Sequence, residues 1–286
     1  VSAVDEILAP NAERSRRKSR FALSLILMVI AWEVVAVLAG QNTAHQALVP
    51  GIVNVADAFR LLANYWKGGL GVTATDIGGR ITWQGAVLGL FYNVGFSAYH
   101  LLGGLVLGIA LGVVAAVLVC WSETVRAMFA LPAHFARMMP LLAMVPLFSL
   151  WFGDTSKGSI LFIAFTAFSL VFAIGINAIR NVPAYYGKYA RSLGASRART
   201  YLNVILPAAL PQLRSGILLA VGFGWSSTIA SEYLGAQYGL GHIVENALYF
   251  SQTNLLALVA LIALLLASLT VLATVRLLDW ATRWAE

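Results

Sequence analysis

Residues 253–275, TNLLALVALIALLLASLTVLATV, run without a single charged side chain. At 1.5 Å per residue such a helix crosses the roughly 30 Å hydrocarbon core of a bilayer, where backbone polar groups are satisfied only inside helices or closed barrels. The pattern recurs along the chain, and six spans are expected, at 21–40, 99–120, 128–151, 159–178, 209–231 and 253–275. Composition agrees: with a mean hydropathy of +0.81 and only 11% charged residues, 286 residues carry more apolar surface than a soluble core of that size hides. The expected class is an all-α polytopic membrane protein. Pro140 and Pro146 interrupt the third span, and the polar run Trp225-Ser226-Ser227-Thr228 interrupts the fifth. Proline within a span requires neighbouring protein or water to satisfy the freed carbonyls, so both helices are expected to face the protein interior.

The formal net charge of +7 is distributed in short clusters beside apolar runs, which encodes membrane topology rather than a nucleic-acid surface. Arg14, Arg16, Arg17, Lys18 and Arg20 precede the first span and hold that end in the cytoplasm. Six spans return the C-terminus, with Arg276 and Arg283, to the same side, together with residues 179–208 and their Arg180, Lys188, Arg191, Arg197 and Arg199. The outer segments hold Arg60, Lys67, Arg80 and Lys157. A cleaved signal peptide is the rival reading of the N-terminus, but an apolar run of about 20 residues is longer than the 7–15 typical of such signals. The expected organisation is thus a basic cytoplasmic N-terminus over 1–20 and one membrane domain over 21–286, with an outer segment at 41–98 and a cytoplasmic loop at 179–208. Within the outer segment NVADAFRLLANYW has the pattern of an amphipathic helix and GGLGVTATDIGGR that of a loop, while 82–98 either lies in the interface or begins the second span early.

No internal repeat is visible, so a transmembrane pathway is most naturally built by pairing two such chains. Gly104, Gly108 and Gly112 line one face of the second span and permit close helix approach, either within the chain or across a dimer. Catalytic and metal signatures are lacking. GDTSKGS at 153–159 has the wrong spacing for a phosphate-binding loop, and no GxSxG elbow occurs. His45, His100, His134 and His242 have no paired metal spacing and read as packed or interfacial residues, and the lone Cys120 offers no disulfide. An intramembrane enzyme is unsupported.

The segment from Pro183 onward, AYYGKYARSLGASRARTYLNVILPAALPQL, reads as a helix, a break at Gly194, and a second helix ending near Leu206-Pro207. Two short helices meeting at an angle would project a basic knob, carrying Arg191, Arg197 and Arg199, into the cytoplasm. Gly194 is followed after nine residues by Val204, Ile205, Leu206 and Pro207, and this spacing resembles the cytoplasmic-loop pattern EAAxxxGxxxxxxxxx[IV]xLP of ABC importer inner-membrane permeases. Lys188 and Tyr189 stand where that family usually has Glu and Ala; Ala190 matches. ARMMPLLAMVPLFSLWFGDTSKG (136–158) and ASEYLGAQYGLGHIVENA (230–247) are similar to segments of the nitrate, sulfonate and taurine group of those permeases.

The resemblance implies a type I importer permease fold in the bacterial inner membrane, with no cofactor on this chain and with ATP and Mg held by the partner ATPase. It implies a second permease chain, two cytoplasmic ATPase subunits and a periplasmic binding protein as partners, within the lipid bilayer. Coupling to the ATPase falls on Lys188, Tyr189, Ala190, Arg191, Ser192, Leu193, Gly194, Ala195, Ser196, Arg197, Arg199, Leu206 and Pro207. Because polar groups at membrane depth are costly, Trp225, Ser226, Ser227, Thr228, Glu232, Pro140 and Pro146 are expected along the pathway. The Ser and Thr hydroxyls either donate to a solute anion or bond back to carbonyls one turn earlier. Glu232, which would repel an anion, reads as structural or as a gate. Glu33 and Arg137 lie toward opposite ends of their spans, too far apart to pair. The alternative function is an ion-coupled secondary transporter or channel working without an ATPase.

Overall fold

A computed structural model describes residues 20, 23–24, 26–40, 48–233 and 236–281. Most of the basic N-terminal cluster and His45 fall outside these residues. In chain order the helices are α1 (Ile26–Leu38), α2 (Ile52–Ala58) leading into a 3₁₀ turn (Phe59–Tyr65), α3 (Trp83–Cys120), α4 (Glu123–Met138), α5 (Leu141–Phe152), α6 (Ser156–Arg180), α7 (Ala184–Ser192), α8 (Arg197–Thr200), α9 (Leu206–Tyr233), α10 (Leu240–Tyr249) and α11 (Thr253–Ala281).

The hub of the bundle is α6, whose Phe162, Ile163, Ala167, Val171 and Ile176 are buried against α3, α4, α5 and α9. Thr155 caps it, accepting the Gly158 N–H at 3.2 Å. The seam with α3 is close because glycines vacate it: a Cβ added at Gly104 would stand 2.5 Å from Cβ of Ile163, and one at Gly112 3.0 Å from Cβ of Val171. The glycine stripe therefore packs within the chain, which decides between the two readings left open above.

At 38 residues α3 is about 57 Å long, nearly twice the ~30 Å of a hydrocarbon core. Thr82 sets its start, its hydroxyl accepting the Gly85 N–H at 3.0 Å, and no proline or charge interrupts the run to Cys120. Residues 83–98, counted with the outer segment from sequence, belong to this helix. Its outward face carries Leu102, Val106, Leu111, Val114 and Leu118, all exposed, and α11 likewise exposes Leu264, Leu265, Leu269 and Leu272. Faces of this kind suit hydrocarbon, since the backbone beneath them is satisfied within the helix.

Among the described residues four segments are long and apolar enough to cross a membrane: Trp83–Cys120, Ser156–Arg180, Arg197–Tyr233 and Thr253–Trp280. The described part of the first expected span is the shorter apolar helix α1. The third expected span, 128–151, is not one helix. It divides into α4 and α5, which meet at 95°. Pro140 has no N–H to continue the ladder, and it forces Met139 out of the helical region to φ −58°, ψ 134°. Pro140 and Pro146 are both exposed in the single chain.

Glu33 is accounted for locally: its carboxylate accepts the Ile52 N–H at 2.6 Å, at the positive end of α2, and Trp32 Nε1 donates to the Pro50 carbonyl at 2.9 Å. At the other end of the bundle Arg214 of α9 forms an ion pair with Asp279 of α11.

Candidate functional site

The basic knob is a helix–turn–helix with a defined turn. Gly194 adopts φ +82°, its N–H donates to the Arg191 carbonyl at 3.0 Å, and Ala195 N–H donates to Ala190 O at 3.0 Å. That bond pair is a Schellman cap, in which the left-handed residue is one that a Cβ would strain. Ser196 then caps α8, accepting the Arg199 N–H at 3.3 Å. Lys188, Tyr189, Ala190, Arg191 and Ser192 lie in α7, Leu193 and Gly194 form the turn, Ala195 and Ser196 lead out of it, and Arg197 and Arg199 lie in α8. The knob has an outer face of apolar and aromatic side chains, with Tyr189 69% and Leu193 88% exposed, and α7 buries none of its residues.

The second helix does not end at Leu206-Pro207. A π turn over Tyr201–Ile205, in which the Leu206 N–H reaches the Tyr201 carbonyl, carries α8 directly into α9, giving one helical segment from Arg197 to Tyr233. Pro207 lacks the N–H for the next bond, and the wider turn before it supplies the local adjustment that a proline needs inside a helix. This junction is anchored: the Tyr201 hydroxyl donates to the Val117 carbonyl at 2.7 Å and Arg197 Nη2 to the Trp121 carbonyl at 3.0 Å. The knob is therefore the bent-over start of a helical segment that runs from Arg197 to Tyr233, anchored to the end of α3.

At the far end of the same helix sits Glu232, wholly buried. Its Oε2 accepts from Ser97 Oγ at 2.8 Å and from the Gly241 N–H at 3.0 Å, and its Oε1 lies 2.8 Å from His100 Nδ1. Ser97 Oγ in turn accepts the Leu240 N–H at 2.8 Å, and Asn93 Oδ1 accepts that of Gly239 at 3.0 Å. Asn93 Nδ2 donates to the carbonyls of Gly89 and Tyr65 at 2.8 and 3.2 Å. Three successive amides that open α10 are thus held by α3 and α9. Gly239 has φ +110°, and a Cβ there would overlap the Glu232 carboxylate. His100 also borders a cavity of about 270 Å³ with Phe96, Thr155 and Tyr238.

Of the polar run in α9, Trp225, Ser227 and Thr228 turn inward. Trp225 Nε1 donates to Thr270 Oγ1 at 3.0 Å, Ser227 Oγ bonds back to the Phe223 and Gly224 carbonyls, and Thr228 Oγ1 to that of Gly224. Ser226 alone of the four is exposed, on a face shared with Leu219, Gly222 and Phe223. Pro140 and Pro146 lie apart from this run, at the α4–α5 bend and within α5.

The bundle also separates its positive charges. Arg126, Arg180, Arg191 and Arg197 gather beside the knob, whereas Lys67 borders a cavity with Tyr238 and His242 near the Glu232 end.

Sequence reasoning named Glu232 but missed its partners. Asn93, Ser97 and His100 follow i, i+4, i+7 spacing, one polar face on an otherwise apolar helix. Such a face calls for buried polar partners, and that was the available signal.

Comparisons with known proteins agree with this architecture. Over residues 108–284 the chain matches the family described as binding-protein-dependent transport system inner membrane component. It is 35% identical over 194 residues to SsuC of Bacillus subtilis (strain 168), named for aliphatic sulfonates transport, a match covering 65% of this chain and 70% of that one. It is 36% identical over 167 residues to the taurine transport system permease TauC of Escherichia coli (strain K12), covering 57% of this chain and 58% of that one. A chain from an inward-facing crystal form of the MetNI methionine ABC transporter superimposes with a TM-score of 0.52 at 20% identity, over 68% of this chain and 95% of that one, which establishes the shared fold. With the family match spanning more than half of its length, knob included, the chain belongs to the binding-protein-dependent transport system inner membrane components, the permease subunits of ABC importers.

Proposed function

We propose that this permease carries a small organic or inorganic anion of the sulfonate, taurine or nitrate kind, delivered by a periplasmic binding protein and driven by a separate ATPase. The names of the SsuC and TauC relatives support that solute class. Two chains pair through uncovered faces, among them the α9 face of Leu219, Gly222, Phe223 and Ser226, with the solute passing between them. Ser226 and the α4–α5 bend at Pro140 and Pro146 line that path, while Trp225, Ser227, Thr228 and Glu232 brace it from behind. ATP and Mg belong to the ATPase subunits, which sit on the cytoplasmic side and grip the knob over Lys188–Arg199. N- and C-termini share that side.

The observation that carries this reading is the unbroken helical path from Arg197 to Tyr233. A displacement applied to the knob is transmitted along one rigid element past Ser226 to Glu232. ATP binding then shifts the permease to the extent that knob contacts differ between its two states. With Lys188 in place of the usual family Glu, the contact to the ATPase rests on the aromatic and apolar outer face of α7 rather than on a carboxylate.

The test is reconstitution of the chain into vesicles with its ATPase and binding protein. Gly194→Val should abolish ATP-driven uptake and ATPase association while leaving membrane insertion intact. Normal uptake by that variant, or ion-driven accumulation by the chain alone, would replace this reading with the secondary-transporter one.

A further inference from the structure

Behind the knob lies a cavity of about 570 Å³ whose walls come from both the knob and the span ends. Arg191 of α7 and Arg197 of α8 line it from one side, Arg126 of α4 and Arg180 at the end of α6 from the other. Glu123 is the one carboxylate among its lining residues; it meets Arg126 at 3.4 Å and its side chain is 90% exposed, a weak pair. Arg191 and Arg197 each donate to a neutral carbonyl, Gly187 O at 3.2 Å and Trp121 O at 3.0 Å, and the Arg197 guanidinium lies over the Trp121 ring at 5.7 Å, contacts that bring no negative charge to either. Among the described residues no carboxylate lies within ion-pair distance of Arg180, Arg191 or Arg197.

Positive-inside topology requires basic residues on this side, not four guanidinium groups around one cavity. Contact with an ATPase does not account for them either, because α7 has two faces. Ala184, Gly187 and Arg191 line the cavity, whereas Tyr185, Tyr189 and Leu193 are the exposed outer side chains. Like charges gathered on a shared cavity repel unless an anion stands among them. Guanidinium is the group suited to planar, bidentate recognition of phosphate- or sulfonate-type oxygens. The volume falls in the range of small-molecule sites, with room for an organic body beside the charged head.

We propose that this cavity binds an oxyanion of the phosphate, sulfate or sulfonate class, gripped at once by arginines of the knob and arginines of the span ends. The anion would tie the lever to the transmembrane body. It can arrive as a soluble organic oxyanion or as the headgroup of an anionic phospholipid.

The test uses the full chain alone in lipid nanodiscs, so its outcome is independent of the transport reading. Ethanesulfonate titrated into phosphatidylcholine discs should raise the melting temperature. Its affinity should fall by about tenfold or more in the Arg126→Gln, Arg180→Gln double variant, the loss expected for charge-assisted hydrogen bonds. Arg80→Gln, remote from the cavity, should leave it unchanged. A response to phosphatidylglycerol in the discs, present in the parent chain and lost in the double variant, with none to ethanesulfonate, would identify the headgroup as the source. The proposal is overturned if the parent and the double variant behave alike toward both probes, including by showing no response.

Discussion

At one end of the helical segment Arg197–Tyr233, Glu232 is completely buried and bonded to Ser97, His100 and the Gly241 amide; at the other, α7 contains no buried residue. Both ends are polar and both carry a glycine at positive φ, Gly239 and Gly194. They differ in what surrounds the glycine. A Cβ at Gly239 meets the Glu232 carboxylate, whereas one at Gly194 meets nothing within 4 Å. The first end holds the Glu232 carboxylate and the amides that open α10 inside the chain, with His100 Nε2 the buried polar atom there that has no partner among the described residues. The second is held by two anchors at its root, Tyr201 and Arg197, and leaves Tyr185 and Tyr189 exposed.

Breaking the Glu232 end should cost the most. Glu232→Ala leaves the Ser97 hydroxyl, the His100 ring nitrogen facing it and the Gly241 amide without their buried partner, and at about 1–3 kcal/mol for each unsatisfied group it is expected to give the largest drop in thermal or denaturant midpoint in detergent. An unchanged midpoint would mean that the network contributes nothing to the fold. Gly239→Ala places a β-carbon in a backbone region reserved for glycine and against a carboxylate, so a loss of about 1–3 kcal/mol is expected in the same assay. Gly194→Ala sharpens the contrast: left-handed strain of about 1–2 kcal/mol falls on the exposed turn alone, so the midpoint of the spans should hold while co-purification of the ATPase drops. Tyr189→Ala completes the series, moving stability by no more than about 0.5 kcal/mol while still weakening ATPase association. Equal losses of stability at Tyr189 and Glu232 would erase the distinction between the two ends.

Much of this was legible in the residues. The apolar runs became α3, α6, α9 and α11 because length and composition suffice to specify a membrane helix. The Gly194 turn was legible because a Schellman cap is a local device. What misled was proline. Pro140, expected inside a span, instead divides it at 95°, whereas Pro207, expected to end a helix, is passed by a π turn. Each outcome depends on whether neighbouring backbone can rearrange around the missing N–H, and that is settled by packing and not by the residue.

Local chemistry therefore specified a helical membrane chain with a bent, basic loop of a recognisable family, since hydropathy, glycine conformation and charge clustering act over a few turns. The pairing of Ser97 with a carboxylate 135 positions away, the seating of α10 on Asn93, and the gathering of arginines from four helices around one cavity arose only when the helices packed. Contacts of that reach depend on how helix faces meet in three dimensions, and no short window of residues encodes that meeting.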